Sequence, residues 1–300
     1  MLLFKASLPI AALFLKRDRF IRSLSFLLTS SSVSSNAASA LSLPTITMPP
    51  PNGVLIFCHG SGDTGPGVKQ YVESIAPKAS LRSLRNAGIT IRYPSAKPRP
   101  YRLMGNSVTS IWFDRIGGMA PSYPEEVEFI KESSAAINAI IEEYVDSGVP
   151  PSKIVVGGFS MGGGIGLQAA ARCRHELGAV FALSSYLCDD SLVYDILGRK
   201  PCSTPEDDGV GSGQGKEEVF CGSDNDGGFV PALLTSPVFM AHGDDDDFVL
   251  TEWGEGTAGR LKGLGVNIVP QPFLRIPDTH HEMTTEELRL LFDFLMLNVF

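Results

Sequence analysis

The stretch Gly157-Gly158-Phe159-Ser160-Met161-Gly162-Gly163-Gly164 limits this chain more than any other. It follows the apolar run Ile154 to Val156, in a strand pattern over 153–157, and precedes a helical pattern over 161–174. Glycine costs backbone entropy in both strands and helices, so such crowding needs a geometric reason. One reason is a phosphate cradle. A Walker loop needs a lysine after its last glycine, and none follows here. The dinucleotide signature GxGxxG is missing from the first strand-to-helix turn, where it would have to lie. The other reason is a serine held up at a sharp strand-to-helix turn. Gly158-Phe159-Ser160-Met161-Gly162 is G-x-S-x-G in that setting, the pattern of a nucleophile elbow.

The surrounding pattern supports a doubly covered parallel sheet. Val54 to Cys58 is a continuous apolar run, as expected for a strand buried on both faces. A helical pattern spans Tyr71 to Arg85 and ends at Gly88, and residues 89–93 read as the next strand. A long loop rich in proline and arginine then runs to Pro124. Residues 125–146 carry Val127, Ile130, Ile137, Ile140, Ile141 and Tyr144 at helical spacing. Strands are expected at 153–157, 178–185, 236–243 and 267–277, the last near a sheet edge because it holds two prolines. Helices are expected at 253–265 and from Thr284 to about Asn298. Strands alternating with helices predict an α/β fold: a mostly parallel central sheet with helices on both faces.

Two segments break this rhythm. Residues 1–50 hold Lys5, Lys16, Arg17, Arg19 and Arg22 against one acid, Asp18, and are rich in serine, alanine and leucine. Such a leader resembles an organellar transit peptide. The alternatives are a disordered extension, or a start at Met48. The expected location is therefore cytoplasmic, or mitochondrial or plastid if the leader is used. Its apolar run, Ala6 to Leu15, is too short to span a membrane. Residues 203–228 carry seven acids and one lysine among many glycines, and are expected to be a mobile surface insertion. The remainder, 51–300, reads as one catalytic domain.

Composition narrows the function. Net charge is −8, with no basic cluster in the body of the chain, so nucleic acid is not an expected partner. Five cysteines without framework spacing and without a CxxC pair argue against both a disulfide scaffold and a zinc site. No metal and no cofactor is expected.

A serine hydroxyl needs a base to take its proton and an acid to orient that base. In this fold the chain order is serine, acid, histidine. After Ser160 the histidines are His175, His242, His280 and His281. His175 reads as a surface residue on the helix after the elbow, and His242 ends a strand. His280 and His281 sit in the loop before the last helix, where the base belongs. His281, followed by Glu282, is the preferred one. The acid lies among Asp244, Asp245, Asp246 and Asp247, and composition does not choose between them.

The ordered motifs HGSGDTG, YPSAKPRPY, WFDR, GGFSMGG, FALSS, HGDDDDFVL, LKGLGV and HHEM resemble those of the acyl-protein thioesterase and lysophospholipase-like family of α/β-hydrolases. The likeness covers about 54 to 295 and is closest to the lysophospholipase-like branch. It implies an α/β-hydrolase fold and a serine hydrolase of carboxylic esters or thioesters, with acyl esters or S-acylated proteins as substrates. The branch implies short acyl chains. The family pattern H-G-x-x-D-x-x-V places the acid on Asp246, and the family's loop histidine followed by Glu falls on His281. His280 stands where a glycine is usual. The oxyanion amides fall on Ser61 and Met161. Trp112, assigned to the substrate-binding region, and Asp63 shape the pocket floor and loop. Two rival readings are a general small-molecule carboxylesterase and a non-catalytic acyl-binding protein; the set Ser160, Asp246 and His281 weighs against the second.

Overall fold

The computed structural model describes residues 49–198 and 229–300. The expectations for the leader and for the 203–228 insertion lie outside the described residues.

Six strands form one wholly parallel sheet. They are β1 (Gly53–Cys58), β2 (Ile89–Arg92), β5 (Ile154–Phe159), β6 (Ala179–Leu183), β7 (Val238–Gly243) and β8 (Ile268–Ile276). Their order across the sheet is β2-β1-β5-β6-β7-β8. All residues of β1, β6 and β7 are buried, which is why these strands read as unbroken apolar runs rather than alternating ones. β8 lies at an edge, as its two prolines require, because proline has no amide to give to a second neighbour.

Alternate side chains of each strand point into two separate cores. Val54, Ile56, Val156 and Val180 face α3 (Val127–Asp146), α4 (Met161–Ala171) and α7 (Thr251–Gly263). Leu55, Phe57, Val155 and Phe181 face α1 (Gly65–Ile75), α2 (Lys78–Asn86) and α8 (Thr285–Asn298). In α3, Ile130, Ile137 and Ile141 recur at helical spacing and are fully buried. Burying each such side chain contributes about 1.5–3 kcal/mol. α4 differs: all eleven of its residues are buried, so it has no polar stripe.

Three local expectations need correction. The single helix expected over Tyr71 to Arg85 is two helices. α1 starts earlier, where Thr64 caps the amide of Gly67, and Ala76-Pro77 breaks the chain before α2. Proline removes a donor and disfavours helix in the residue before it. The proline-rich loop holds an antiparallel hairpin, β3 (Pro98–Tyr101) and β4 (Ser107–Ser110). The helix after the elbow ends at Ala171, so His175 lies beyond it. There it is partly buried and bonds Glu142 of α3 at 3.0 Å. Two short helices, α5 (Leu192–Gly198) and α6 (Ala232–Thr235), carry no strong periodicity and were not expected.

The chain passes from β1 to β2 on one side, then returns to β5 on the other. Such a reversal leaves a crevice at the carboxyl ends of the strands, where open α/β sheets bind ligands.

Candidate active site

Four strand ends contribute to that crevice. Ser160 follows β5, Ser61 lies three residues past β1, Asp246 three past β7, and His281 in the loop between β8 and α8. The fold therefore gathers residues from the two ends of the described chain.

Ser160 sits at φ 55°, ψ −124°, a region that side chains rarely enter. The turn is imposed by close packing. A Cβ on Gly162 would lie 2.1 Å from the Cys58 carbonyl oxygen, and one on Gly158 would lie 2.2 Å from the same atom. Only glycine lets α4 cross β1 this closely. The serine amide bonds the Leu183 carbonyl at 2.8 Å, which pins the turn to β6. Its hydroxyl lies 2.9 Å from His281 Nε2.

The other ring nitrogen of His281, Nδ1, lies 2.7 Å from Asp246 Oδ2. The ring is flanked by Phe159 and Phe248, with centroids at 4.9 and 5.0 Å. Of the four consecutive aspartates only Asp246 is buried, at 4 % exposure; Asp244, Asp245 and Asp247 face solvent. Asp246 Oδ1 accepts the amides of Phe248 and Val249 at 3.0 and 2.8 Å. Burial would raise its pKa, but bonds from His242, His281 and the Val249 amide outweigh it and hold the carboxyl well below the usual range. His280 is exposed and its Nδ1 bonds the Asp245 carbonyl at 2.8 Å.

Met161 opens α4, and first-turn amides have no partner within their own helix. The amide of Met161 and the loop amide of Ser61 are the two backbone donors expected for the oxyanion. The loop carrying Ser61 is held by neighbours. His59 is fully buried; its Nε2 accepts the Ala96 amide at 3.0 Å, so the proton rests on Nδ1, 2.6 Å from the Gly60 carbonyl. Burial lowers the pKa of that ring, which favours the neutral form. Trp112 is 2 % exposed, and its indole donates to the His59 carbonyl at 2.8 Å. It braces this loop from within the core and presents no open surface to a ligand. Asp63 accepts the Thr64 amide at 2.7 Å and so shapes the entry to α1.

Sequence reasoning missed His59 and set His242 aside as a strand end. Each stands in a His-Gly pair at the carboxyl end of a buried strand, His59 just after β1 and His242 within the last two residues of β7, a repeated signal that could have singled them out. Among the described residues no group of histidine, cysteine, aspartate and glutamate side chains could hold a metal ion. Nor is any described helix long and apolar enough to cross a membrane.

Comparison with known proteins places this arrangement. The model of the phospholipase/carboxylesterase family matches residues 47–196. Lysophospholipase-like protein 1 of Mus musculus is 30% identical over 261 residues, 86% of this chain and 93% of that protein. This chain belongs to the phospholipase/carboxylesterase family. Acyl-protein thioesterase 1 of Gibberella zeae is 30% identical over 238 residues, 78% of this chain and 85% of its own length. The structure of Arabidopsis thaliana SOBER1 shares the fold, with a TM-score of 0.64 at 20% identity, over 83% of this chain and 99% of that one. The expected α/β-hydrolase fold and the expected family are thus both met, and the family makes this chain a hydrolase of the carboxylesterase class.

Proposed function

We propose that this chain hydrolyses carboxylic esters or thioesters through Ser160, His281 and Asp246. The supporting observation is the continuous line of bonds from Ser160 Oγ through both nitrogens of His281 to Asp246 Oδ2. A serine hydroxyl attacks a carbonyl carbon while His281 Nε2 takes its proton. Asp246 keeps the Nδ1 proton in place and stabilises the imidazolium. The amides of Ser61 and Met161 receive the negative charge that develops on the carbonyl oxygen; one such donor is worth about 2.7–4 kcal/mol in related sites. The imidazolium then protonates the leaving alcohol or thiol, and an acyl group stays on Ser160. Water attacks that acyl group, His281 accepts the water's proton, and the free acid leaves as the serine hydroxyl is restored.

The relatives named acyl-protein thioesterase support S-acylated proteins as substrates alongside small acyl esters. Phe248 is 41% exposed with its ring 5.0 Å from His281, an apolar surface against which an acyl or alkyl chain can lie. The test is hydrolysis of p-nitrophenyl esters and acyl thioesters of increasing chain length by wild type, Ser160→Ala and His281→Ala. The expected result is turnover by wild type only, with the length profile separating short-chain esterase from long-chain thioesterase. Turnover that survives in Ser160→Ala would overturn the assignment.

A further inference from the structure

His242 takes no part in the proton transfers above, yet it is built against them. Its ring is fully buried at the end of β7. Nε2 lies 2.8 Å from the Val249 carbonyl and 3.2 Å from Asp246 Oδ2, the oxygen that His281 also contacts. Nδ1 is buried and meets no partner. A proton there would be a buried donor without an acceptor, so the proton belongs on Nε2, where two acceptors converge. A second feature points the same way. α7 carries Gly254, although glycine weakens a helix by roughly 1 kcal/mol. A Cβ there would lie 2.5 Å from His242 Nδ1, so the helix gives up side-chain bulk to seat this ring.

We infer that His242 is a positioning residue for the hydrolysis, its Nε2–H fixing the Asp246 carboxylate and drawing off part of the charge that faces His281. The inference rests on the Ser160–His281–Asp246 reading. An ion pair in a water-poor site responds to every donor on the anion. Without the His242 donor the carboxylate presents more charge to His281, the imidazolium is favoured, and free base appears only at higher pH. Asp245 and Asp247 flank Asp246 in the chain, and His280 and Glu282 flank His281. His242 reaches Asp246 from β7, His281 from the loop after β8, and Glu287 acts on it from α8, while Glu255 of α7 acts on His242. Burial pushes Glu287 up to about 8, on the alkaline side of neutrality and so apart from the acid limb of a pH–rate profile.

The test is the pH profile of kcat/KM on one p-nitrophenyl ester for wild type, His242→Gln and His242→Leu. The glutamine amide reaches about as far as Nε2 and keeps a donor; leucine fills space without one. The expected result for His242→Leu is an acid limb moved up by at least about half a pH unit. With it comes a fall of about tenfold in kcat and a smaller change in KM. His242→Gln recovers both. An acid limb in His242→Leu that overlays wild type, or equal losses in the two variants, overturns the inference while leaving the hydrolase reading intact. Wild type without any turnover brings down both together. If His242→Leu does not fold, nitrogen NMR of wild-type histidines decides: the expected form of His242 is the Nε2–H tautomer, and the Nδ1–H tautomer overturns the inference.

Discussion

Ser160 shows how a single residue can trade stability for reactivity. Its positive φ is a strain of roughly 1–3 kcal/mol, and strain of this kind persists only where the surroundings hold it. Glycine enters that region freely. Ser160→Gly is therefore expected to be more stable than Ser160→Ala, by about 1 kcal/mol in chemical denaturation, with both inactive. Equal stability of the two would mean that the turn carries no strain. Two buried carboxyls make opposite contributions across the pH scale. Asp246 is held below its unfolded value near 3.9, so its contribution is complete above that pH and is lost as pH falls below it. Glu287 is fully buried, and that burial, with the nearby Asp246 charge, outweighs the Thr284 amide beside its carboxyl. Its raised pKa means stability present below about 4.3 that drains away as pH rises to about 8. Glu287→Gln is expected to stabilise the protein at pH 8 by on the order of a few kcal/mol, and by progressively less toward pH 5. A difference that does not vary with pH would contradict the buried-acid account.

At the scale of elements, the crossing of α4 over β1 and β5 is the joint that the site depends on. Gly162→Ala would drive a methyl group into the Cys58 carbonyl, a clash with backbone that no rotamer relieves. Loss of at least about 3 kcal/mol is expected, measurable by urea denaturation. Destabilisation below about 1 kcal/mol would show that the helix can slide. Legibility in the sequence follows the same physics. The elbow could be read because a tight turn demands glycines at fixed offsets, and the buried strands because their apolar runs are unbroken. Two features hid. The hairpin β3–β4 pairs Pro98, Arg99 and Pro100 with Ser110, Thr109 and Val108, so its first strand carries neither strand propensity nor an apolar–polar alternation. The break between α1 and α2 was masked because Tyr71 to Arg85 keeps helical spacing through Pro77. The acid could be narrowed to four adjacent aspartates by pattern alone, and family likeness pointed to Asp246. Its burial and its two amide bonds set it apart from its neighbours in space, and neither is written in composition.

For the molecule as a whole, the two cores flank one sheet, and every element of that sheet lies between Gly53 and Ile276, with α8 closing the second core. A chain beginning at Met48 is therefore expected to unfold in one cooperative transition and to keep the kcat/KM of the full chain on p-nitrophenyl esters. A substantial loss would assign the preceding residues a part in turnover. The central claim concerns one oxygen atom, however, and it is tested most directly by covalent capture. Wild type, Ser160→Ala, His281→Ala and Asp246→Asn would each be treated with a fluorophosphonate and weighed intact, with the adduct then mapped by peptide. The account predicts a single adduct on wild-type Ser160, none on Ser160→Ala, and labelling slowed by at least about a thousandfold in the other two, because an unassisted serine hydroxyl is a poor nucleophile. No adduct on wild type, or an adduct that forms as fast without His281, would contradict it.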